Sequence, residues 1–237
     1  MLGQIRRISV KEARPLVEEY HYSKNLPAGK NICFGWFLKD GESEPTDLLG
    51  SEREREKLYA SAVYGLGSNP IIHNYLANIT GLPVTSKNLY ELRRLVRVGS
   101  KEEKQVSLSQ MLSYCHRSLA KEDGTRYIVS YSDPEYNPSG GIYAASNFIK
   151  LGWTSADYDI LDKDGTKLSR RTLIHWRNRN GHPTIEQACE ILGYRKVKTP
   201  PKKRWFIALD PKDQKILKEK FPPPPKKDWL TELEEAA

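Results

Sequence analysis

Residues 88–131 read as strand, charged loop, helix and buried strand in direct succession, and this run limits the fold more than any other feature. The stretch 88–98 (NLYELRRLVRV) alternates as a central strand does. Residues 107–120 place Leu108, Met111, Leu112, Cys115 and Leu119 on one helical face. Residues 126–131 form a short strand of buried type. A strand followed by a crossover helix and a second strand requires a sheet with helical cover, so an all-helical bundle and an all-β sandwich are both excluded.

The flanking segments extend the alternation. Residues 5–8 read as a first strand. Ser9 and Glu12 have the spacing of a capping box, opening a helix that directs Ala13, Leu16, Val17 and Tyr20 inward and stops near His21 and Tyr22. Residues 32–38 and 58–64 read as paired strands of a hairpin by their apolar content, and the polar stretch 40–57 between them reads as a long acidic connection or lid. A short helix is expected over 69–78, with Pro70 in its first turn. After 126–131 comes a turn-rich loop at Asp133-Pro134, then a helix over 139–151 that ends at Gly152. Residues 153–161 and 171–176 read as a further strand pair. Thr184 opens a helix through Leu192, residues 204–209 form a last strand, and the tail, with Pro222 to Pro225, reads as extended. The resulting order, β-α-β-β-α-β-α-β-α-β-β, is a mixed α/β sheet with helices on both faces. The expected organisation is a catalytic core over 1–164, a basic segment over 165–209 that completes the sheet, and a charged tail over 210–237.

Composition narrows the class. A hydrophobic share of 38% with 10% aromatics supports a packed core. No apolar run approaches the ~20 residues that span a bilayer, and the first residues lack the apolar stretch of a signal peptide. Cys33, Cys115 and Cys189 are odd in number and widely spaced, which suits reduced thiols and a cytoplasmic location. The net charge of +8 is uneven: residues 165–204 hold 11 Lys/Arg against Glu186 and Glu190, a local balance of +9, while the remainder is −1. Such clustering fits a polyanion, and double-stranded DNA is the simplest one. A solvated basic face is the plainer alternative. Arg170, Arg171, Arg177, Arg179, Lys196 and Lys198 are the expected phosphate contacts, with Trp176 or Trp205 available either to stack on a base or to fill the core.

Several polar residues can carry chemistry. His21 and Tyr22 stand at a helix end, where an imidazole serves as base, metal ligand or simple C-terminal charge. Asp133 directly follows a buried strand, at the strand end where open α/β sheets hold ligands, or it starts an Asp-Pro turn. Tyr131 and Ser132 flank it on opposite faces. By period two, Glu91 shares a side with Arg93 and opposes Arg94. Gly140 and Gly141 allow close approach of backbone to a ligand, or act as a hinge. Ser107 and Ser109 either cap their helix or touch a cofactor.

The strand order resembles the GCN5-related N-acetyltransferase (GNAT) fold, in which two central strands part and an acyl-CoA arm enters the gap. That resemblance implies CoA contacts from Val96, Val98, Ser107, Ser109 and Asn147. The segment Gly99–Ser107 has one glycine where that fold has a glycine-rich phosphate loop, and Phe148 stands in the helical register where it often has a tyrosine, with Tyr143 five residues earlier. A closer resemblance is to the Mom family of phage DNA-modification proteins. It is carried by Tyr20-His21-Tyr22-Ser23, Leu89-Tyr90-Glu91-Leu92-Arg93-Arg94-Leu95, Ser130-Tyr131-Ser132-Asp133-Pro134, Gly140-Gly141-Ile142-Tyr143-Ala144-Ala145-Ser146-Asn147-Phe148 and Lys203-Arg204-Trp205-Phe206. This resemblance implies conversion of adenine in DNA to its N6-(methylcarbamoyl) form, which protects against restriction. It also implies His21, Tyr22, Ser132 and Asp133 as the catalytic group, with iron held by His21 and Asp133 and a CoA thioester as a further cofactor. A plain N-acetyltransferase and a non-catalytic DNA-binding module are the rival expectations.

Overall fold

The computed structural model describes residues 3–45, 52–67, 69, 71–98, 107–136, 140–168, 170–181 and 184–223. Ser9 caps the first helix as its spacing requires: its hydroxyl accepts from the Glu12 N–H, and the Glu12 carboxylate accepts from the Ser9 N–H. Around that capping box lie β1 (Gln4–Ile8) and α1 (Val10–Tyr20). They are followed by β2 (Asn31–Pro45), β3 (Glu52–Gly65), α2 (Ile72–Thr80), β4 (Leu89–Arg97), α3 (Leu108–Asp123), β5 (Tyr127–Ser132), α4 (Gly141–Ala145) and β6 (Ile149–Trp153). Then come β7 (Asp157–Leu161), β8 (Lys167–Leu168), α5 (Arg170–Arg179), α6 (Ile185–Leu192), β9 (Arg195–Thr199), β10 (Lys203–Ala208) and α7 (Pro211–Lys220).

Two compact units result. The first comprises residues 1–132, 139–152 and 204–237; the second comprises 133–138 and 153–203. The boundary therefore falls at 152/153, not at 164/165, because β7 pairs with β8 and β9 and not with the large sheet. Arg204 and the rest of β10 return to the first unit.

The first unit is a seven-stranded sheet in the order β1-β2-β3-β4-β5-β10-β6. β1 to β4 pair antiparallel, and β4 pairs parallel with β5. β10 lies antiparallel to β5: the Leu209 N–H donates to the Arg126 carbonyl at one end (2.8 Å), and Trp205 Nε1 donates to Ser132 Oγ at the other (2.9 Å). One face carries α3 and α4 over Phe34, Leu92, Met111, Cys115, Tyr143 and Trp205. The other carries α1 over Cys33, Val63 and Val96, and α2 with α7 over Leu89, Tyr127, Val129 and Phe206. Burying such clusters is the main stabilising term for the sheet.

The β4–β5 pairing runs only from Leu89↔Tyr127 to Leu92↔Ser130. Beyond it β4 continues to Arg97 against β3 alone, so the two central strands part. Ser130 Oγ donates to the Leu92 carbonyl at this fork (2.9 Å), meeting a backbone group that strand pairing would otherwise meet. At the same place β4 bulges. Val63 opposes Arg94 and Tyr64 opposes Leu92, leaving Arg93 as an extra residue. A bulge reverses the alternation downstream. Glu91 therefore shares its face with Arg94, on the α1/α2 side, and the expected pairing of Glu91 with Arg93 is corrected.

Other expectations change as well. Tyr20 is 46% exposed and does not point inward. The stretch 40–57 is no lid: β2 runs to Pro45 and β3 starts at Glu52, extending the hairpin, with 46–51 outside the described residues. The expected helix over 139–151 stops at Ala145. Asn147 takes a left-handed φ of 62° and the chain turns into β6 at Ile149. Residues 171–176 lie in α5, and 211–220 form α7 with Pro211 at its start and Asp210 capping the N–H groups of Lys212 and Asp213. The charged loop 99–105 lies outside the described residues.

The second unit is a three-stranded antiparallel sheet, order β8-β7-β9, covered by α5 and α6. Its centre is Ile160, Leu173, Ala188 and Cys189, with Tyr158, Trp176, Ile185 and Leu192 against them. Thr184 caps α6 through the Gln187 N–H (3.2 Å), and Gly193 ends it at a φ of 67°.

Candidate functional site

The fork between β4 and β5 gathers polar side chains on both faces of the first unit. On the α1/α2 face, the end of α1 delivers His21 and Tyr22, whose ring centroids lie 4.3 Å apart at a tilt of 31°. The His21 Nδ1 accepts from the Ser23 N–H (3.1 Å) and lies 2.8 Å from Ser23 Oγ. With that nitrogen accepting, the proton of the neutral ring sits on Nε2. Burial, then the nearby Arg94 charge, push the His21 pKa down to about 4, so the ring is neutral at physiological pH. His21 is thus a neutral hydrogen-bond donor, not a free base.

The loop after His21 is held from β4. Arg93 donates to the Ala28 carbonyl (3.0 Å), to Asn31 Oδ1 (3.1 Å) and to the Leu66 carbonyl. Arg94 donates to the carbonyl and side-chain oxygens of Asn25, both at 2.9 Å. Arg94 also interacts with Tyr22 and Glu91, although burial is the largest influence and lowers its pKa. Glu91 is buried, and it acts with burial to raise the pKa of Tyr131 on β5. The Tyr131 side chain bonds to Arg204 of β10, whose Nη1 donates to Tyr75 OH on α2 (2.9 Å).

On the α3 face, Tyr143 is buried with its hydroxyl 3.1 Å from Ser130 Oγ. Burial pushes its pKa up to about 12, with smaller upward effects from Tyr22 and Glu91. Tyr143 stacks on Trp205 at 5.4 Å, and Trp205 is pinned by Ser132 Oγ. A Cβ on Gly140 would sit 2.3 Å from the Trp205 ring, so Gly140 serves close packing against that indole. Ser132 is 3% exposed and acts as this strut, which removes it from the group of side chains open to a substrate.

The cofactor residues divide. The Val98 N–H donates to the Tyr59 carbonyl, so by strand alternation Val96 and Val98 direct their backbone groups to β3, while those of Leu95 and Arg97 face the gap. The expectation is corrected accordingly. Ser107 precedes α3 without capping it through its side chain; its hydroxyl lies 3.0 Å from that of Ser109. Two hydroxyls and the unbonded first-turn N–H groups of a helix suit a pyrophosphate. Ser109 and Asn147 line a cavity of about 540 Å³ whose wall also includes Arg117, Ser146 and Lys218. These residues fit an elongated thioester bearing phosphates.

The family is decided by the sequence match: a model of the Mom protein family aligns with residues 3–226 of the 237. The chain belongs to the Mom protein family. A search of curated proteins gives no match. Solved structures of similar fold include an N-acetyltransferase from Staphylococcus aureus, at 13% identity and TM-score 0.44, with 89% of this chain and 100% of that one covered. They also include a Bacillus subtilis acetyltransferase in complex with CoA, at 10% identity and TM-score 0.43, with 87% and 99% covered. The strand order and the parted β4–β5 pair give this Mom-family chain a GNAT-like fold.

Iron fits poorly. Among the described residues no group of three or more His, Cys, Asp and Glu converges as a metal site. Ligation through His21 Nε2 would require the ring proton to move to Nδ1, against the Ser23 N–H that donates there. Asp133 belongs to the second unit, where its Oδ1 accepts from the Glu135 N–H (3.2 Å) and its Oδ2 pairs with Lys202 (3.1 Å). The turn-starting role of Asp133 is visible in that first bond.

The second unit distributes its charge more evenly than the linear sequence suggests. It contains eleven Lys/Arg against eight Asp/Glu, a balance of +3, because Asp133, Glu135 and four aspartates of 157–164 join the basic segment. Arg170 pairs with Asp157 and Lys196 with Glu186, both at 2.6 Å, and both cations lie over the Tyr158 ring. Arg177 bonds to Asn178 at its own surface, while Arg179 and Lys198 are exposed. The side chain of Arg171 lies outside the described residues. Of the six cations expected at phosphates, Arg177, Arg179 and Lys198 have no carboxylate partner among the described ion pairs. Of the tryptophans, Trp205 is core and Trp176 is half-buried against the α5–α6 cluster.

The linear reading missed Tyr75, Tyr143 and Arg204 as members of the site and misplaced Arg94. Tyr75 and Arg204 meet from α2 and β10 on one face, and Tyr143 comes from α4 on the other, all by tertiary packing that no local spacing reveals.

Proposed function

We propose that this Mom-family chain is a transferase that modifies the exocyclic N6 amine of adenine in double-stranded DNA, forming the N6-(methylcarbamoyl) base and protecting DNA from restriction. The observation that carries the reading is the fork, with its two chemically different faces. The α3 side offers strand amides, helix N–H groups and a neutral phenol; the α1/α2 side offers a donor imidazole, a carboxylate and two arginines. A bound CoA thioester of an N-methylcarbamoyl group would supply the activated carbonyl carbon: the N6–C bond would form as the C–S bond breaks, CoA would leave as its thiol, and the proton lost from N6 would replace the one that Tyr143 gives up. Leu95 and Arg97 backbone groups would hold its arm, Ser107 and Ser109 its phosphates, and Tyr143, neutral below about 12, would give its proton to the departing thiolate. His21 would donate from Nε2 to the acceptor base or to the carbonyl oxygen as it gains charge.

The amine of a paired adenine is hard to reach within the stack, so the base would leave it before reaction. Arg177, Arg179 and Lys198 of the insert between β6 and β10 would contact phosphates. The methylcarbamoyl group contains a nitrogen that acetyl-CoA lacks, so the product mass also identifies the donor class. Mass spectrometry of nucleosides from DNA of expressing cells is the test. N6-(methylcarbamoyl)adenine supports the reading, N6-acetyladenine supports ordinary acetyl transfer to DNA, and unmodified adenine in the presence of folded protein rejects both. Acetyl-CoA turnover on small amines without DNA would favour a conventional N-acetyltransferase. Salt-sensitive DNA binding with no base change would favour a binding module.

A further inference from the structure

Tyr75 stands out among exposed side chains because it continues a chain of contacts out of the fork. Glu91 neighbours Tyr131, Tyr131 bonds to Arg204, and Arg204 donates to Tyr75 OH while its guanidinium carbon lies 4.4 Å from the Tyr75 ring centroid. Arg204 is 8% exposed and Tyr75 is 42% exposed, so the arginine is held inside while the phenol ring still presents surface to solvent. Ile71, one helical turn before Tyr75, is 64% exposed, and Leu66 is 56% exposed. A Cβ on Gly67 would lie 3.0 Å from Ile72, which sets the 66–67 segment against the start of α2. The same Cβ would lie 3.7 Å from Glu91 Oε2, so the 66–67 segment and the start of α2 stand beside the carboxylate of the fork, with Leu66, Ile71 and Tyr75 exposed on them.

We propose that Tyr75, braced by Arg204, is the stacking seat for the acceptor nucleobase, with Ile71 and Leu66 as its apolar margin. The inference rests on the reading of the acceptor as a base in DNA and names the residues that receive it. A guanidinium near one part of the phenol leaves its open surface for a flat π-system, and base–aromatic stacking tolerates any base. Tyr75 is a positioning residue in this scheme: it holds the base while other groups meet the reacting nitrogen.

The experiment compares wild type, Tyr75→Phe, Tyr75→Trp and Tyr75→Leu. For each, the modified-adenine fraction is measured in plasmid DNA from expressing cells, together with the affinity for a plain duplex and the melting temperature. Loss of one base–aromatic stack costs about ten- to a hundredfold. Tyr75→Leu should lose that much modification, with duplex affinity within about threefold of wild type because phosphate contacts dominate it. Tyr75→Phe and Tyr75→Trp keep a ring and should retain most of the activity. Wild-type modification by Tyr75→Leu overturns the seat, as does a Tyr75→Phe loss equal to that of Tyr75→Leu, which would assign the effect to the hydroxyl. If Tyr75→Leu melts early, the two aromatic variants decide, and inactivity of both overturns the proposal. Unmodified DNA from wild type removes the DNA reading itself, an outcome distinct from failure of the seat alone.

Discussion

The two units of the chain handle polar side chains in opposite ways. The first buries them: His21, Glu91, Ser130, Tyr143 and Arg204 all lie within the protein around one fork. The second keeps them outside and pairs them with neighbours, Arg170 with Asp157, Lys167 with Asp159 and Lys196 with Glu186. Exposed ion pairs contribute little to stability, about 0–1 kcal/mol each. Buried polar groups, by contrast, are costly unless satisfied, and their concentration at one place is the mark of a site. The difference teaches that a run of positive charge in the sequence does not by itself mark where buried polar groups gather: the second unit carries the run, and the first carries the cluster.

Core truncations test that division most strongly. Trp205→Ala removes the indole that supports Tyr143, and the cost of such a change is about 3–5 kcal/mol. Leu173→Ala, in the small cluster of the second unit, should cost about 2–4 kcal/mol. Differential scanning calorimetry should show Trp205→Ala destabilising the transition of the sheet and Leu173→Ala an earlier, smaller one. A single transition lowered equally by both would break the picture of two units.

Removing one hydroxyl at the fork comes next. Tyr143→Phe preserves the ring and its stacking, and should reduce base modification about a hundredfold with little change in duplex affinity. Unchanged modification would take Tyr143 out of the reaction.

Acid should weaken the first unit selectively. His21 and His116 have pKa values pushed down to about 4 by burial, against an ordinary 6.5. An unfolded chain takes up these protons first. The stability that neutrality confers is therefore complete above pH 6.5 and is lost as pH falls toward 4, to a limit of about 3 kcal/mol per imidazole. Urea melts at pH 7.5, 5.5 and 4.5 measure this, and His116→Gln should flatten the slope. An unchanged slope in that variant would exclude His116 as a cause.

The smallest effects belong to the surface cations. Arg177→Ala, Arg179→Ala and Lys198→Ala should each weaken duplex binding by a few fold and reduce the salt slope by about 1. Lys196→Ala should do less, because Glu186 already holds that charge. Equal losses at Lys196 and Lys198 would show that intramolecular pairing does not decide which cations meet DNA.

The elements that sequence reading placed well are those with strong periodicity or chemical caps. β4, α3 and β5 follow their apolar spacing, and α1 and α6 start at Ser9 and Thr184 as their hydroxyls dictate. The hairpin extension escaped because a polar strand pair and a polar loop have similar composition. The helix after Gly140 looked longer than it is because Asn147 turns the backbone without a glycine to signal the turn. Asp210-Pro211 did announce α7, with a cap residue and a proline at the first position, but the later prolines outweighed it. Of the site, His21 and Tyr22 were legible from a helix end. Arg94 was misplaced because period-two counting does not anticipate a bulge.

That extra residue at Arg93 has a consequence for how the strand can vary. Deleting it would restore even alternation and leave every side chain from Arg94 onward in its present layer, with Val96 still beneath α1 and Leu95 still toward α3. What the deletion would remove is the guanidinium that ties Ala28, Asn31 and Leu66 to β4. Losing a residue from 94–97 with the bulge kept would instead turn the rest of the strand to the opposite layer. Alignments of related chains should therefore tolerate a one-residue gap at 93 more readily than elsewhere in this strand.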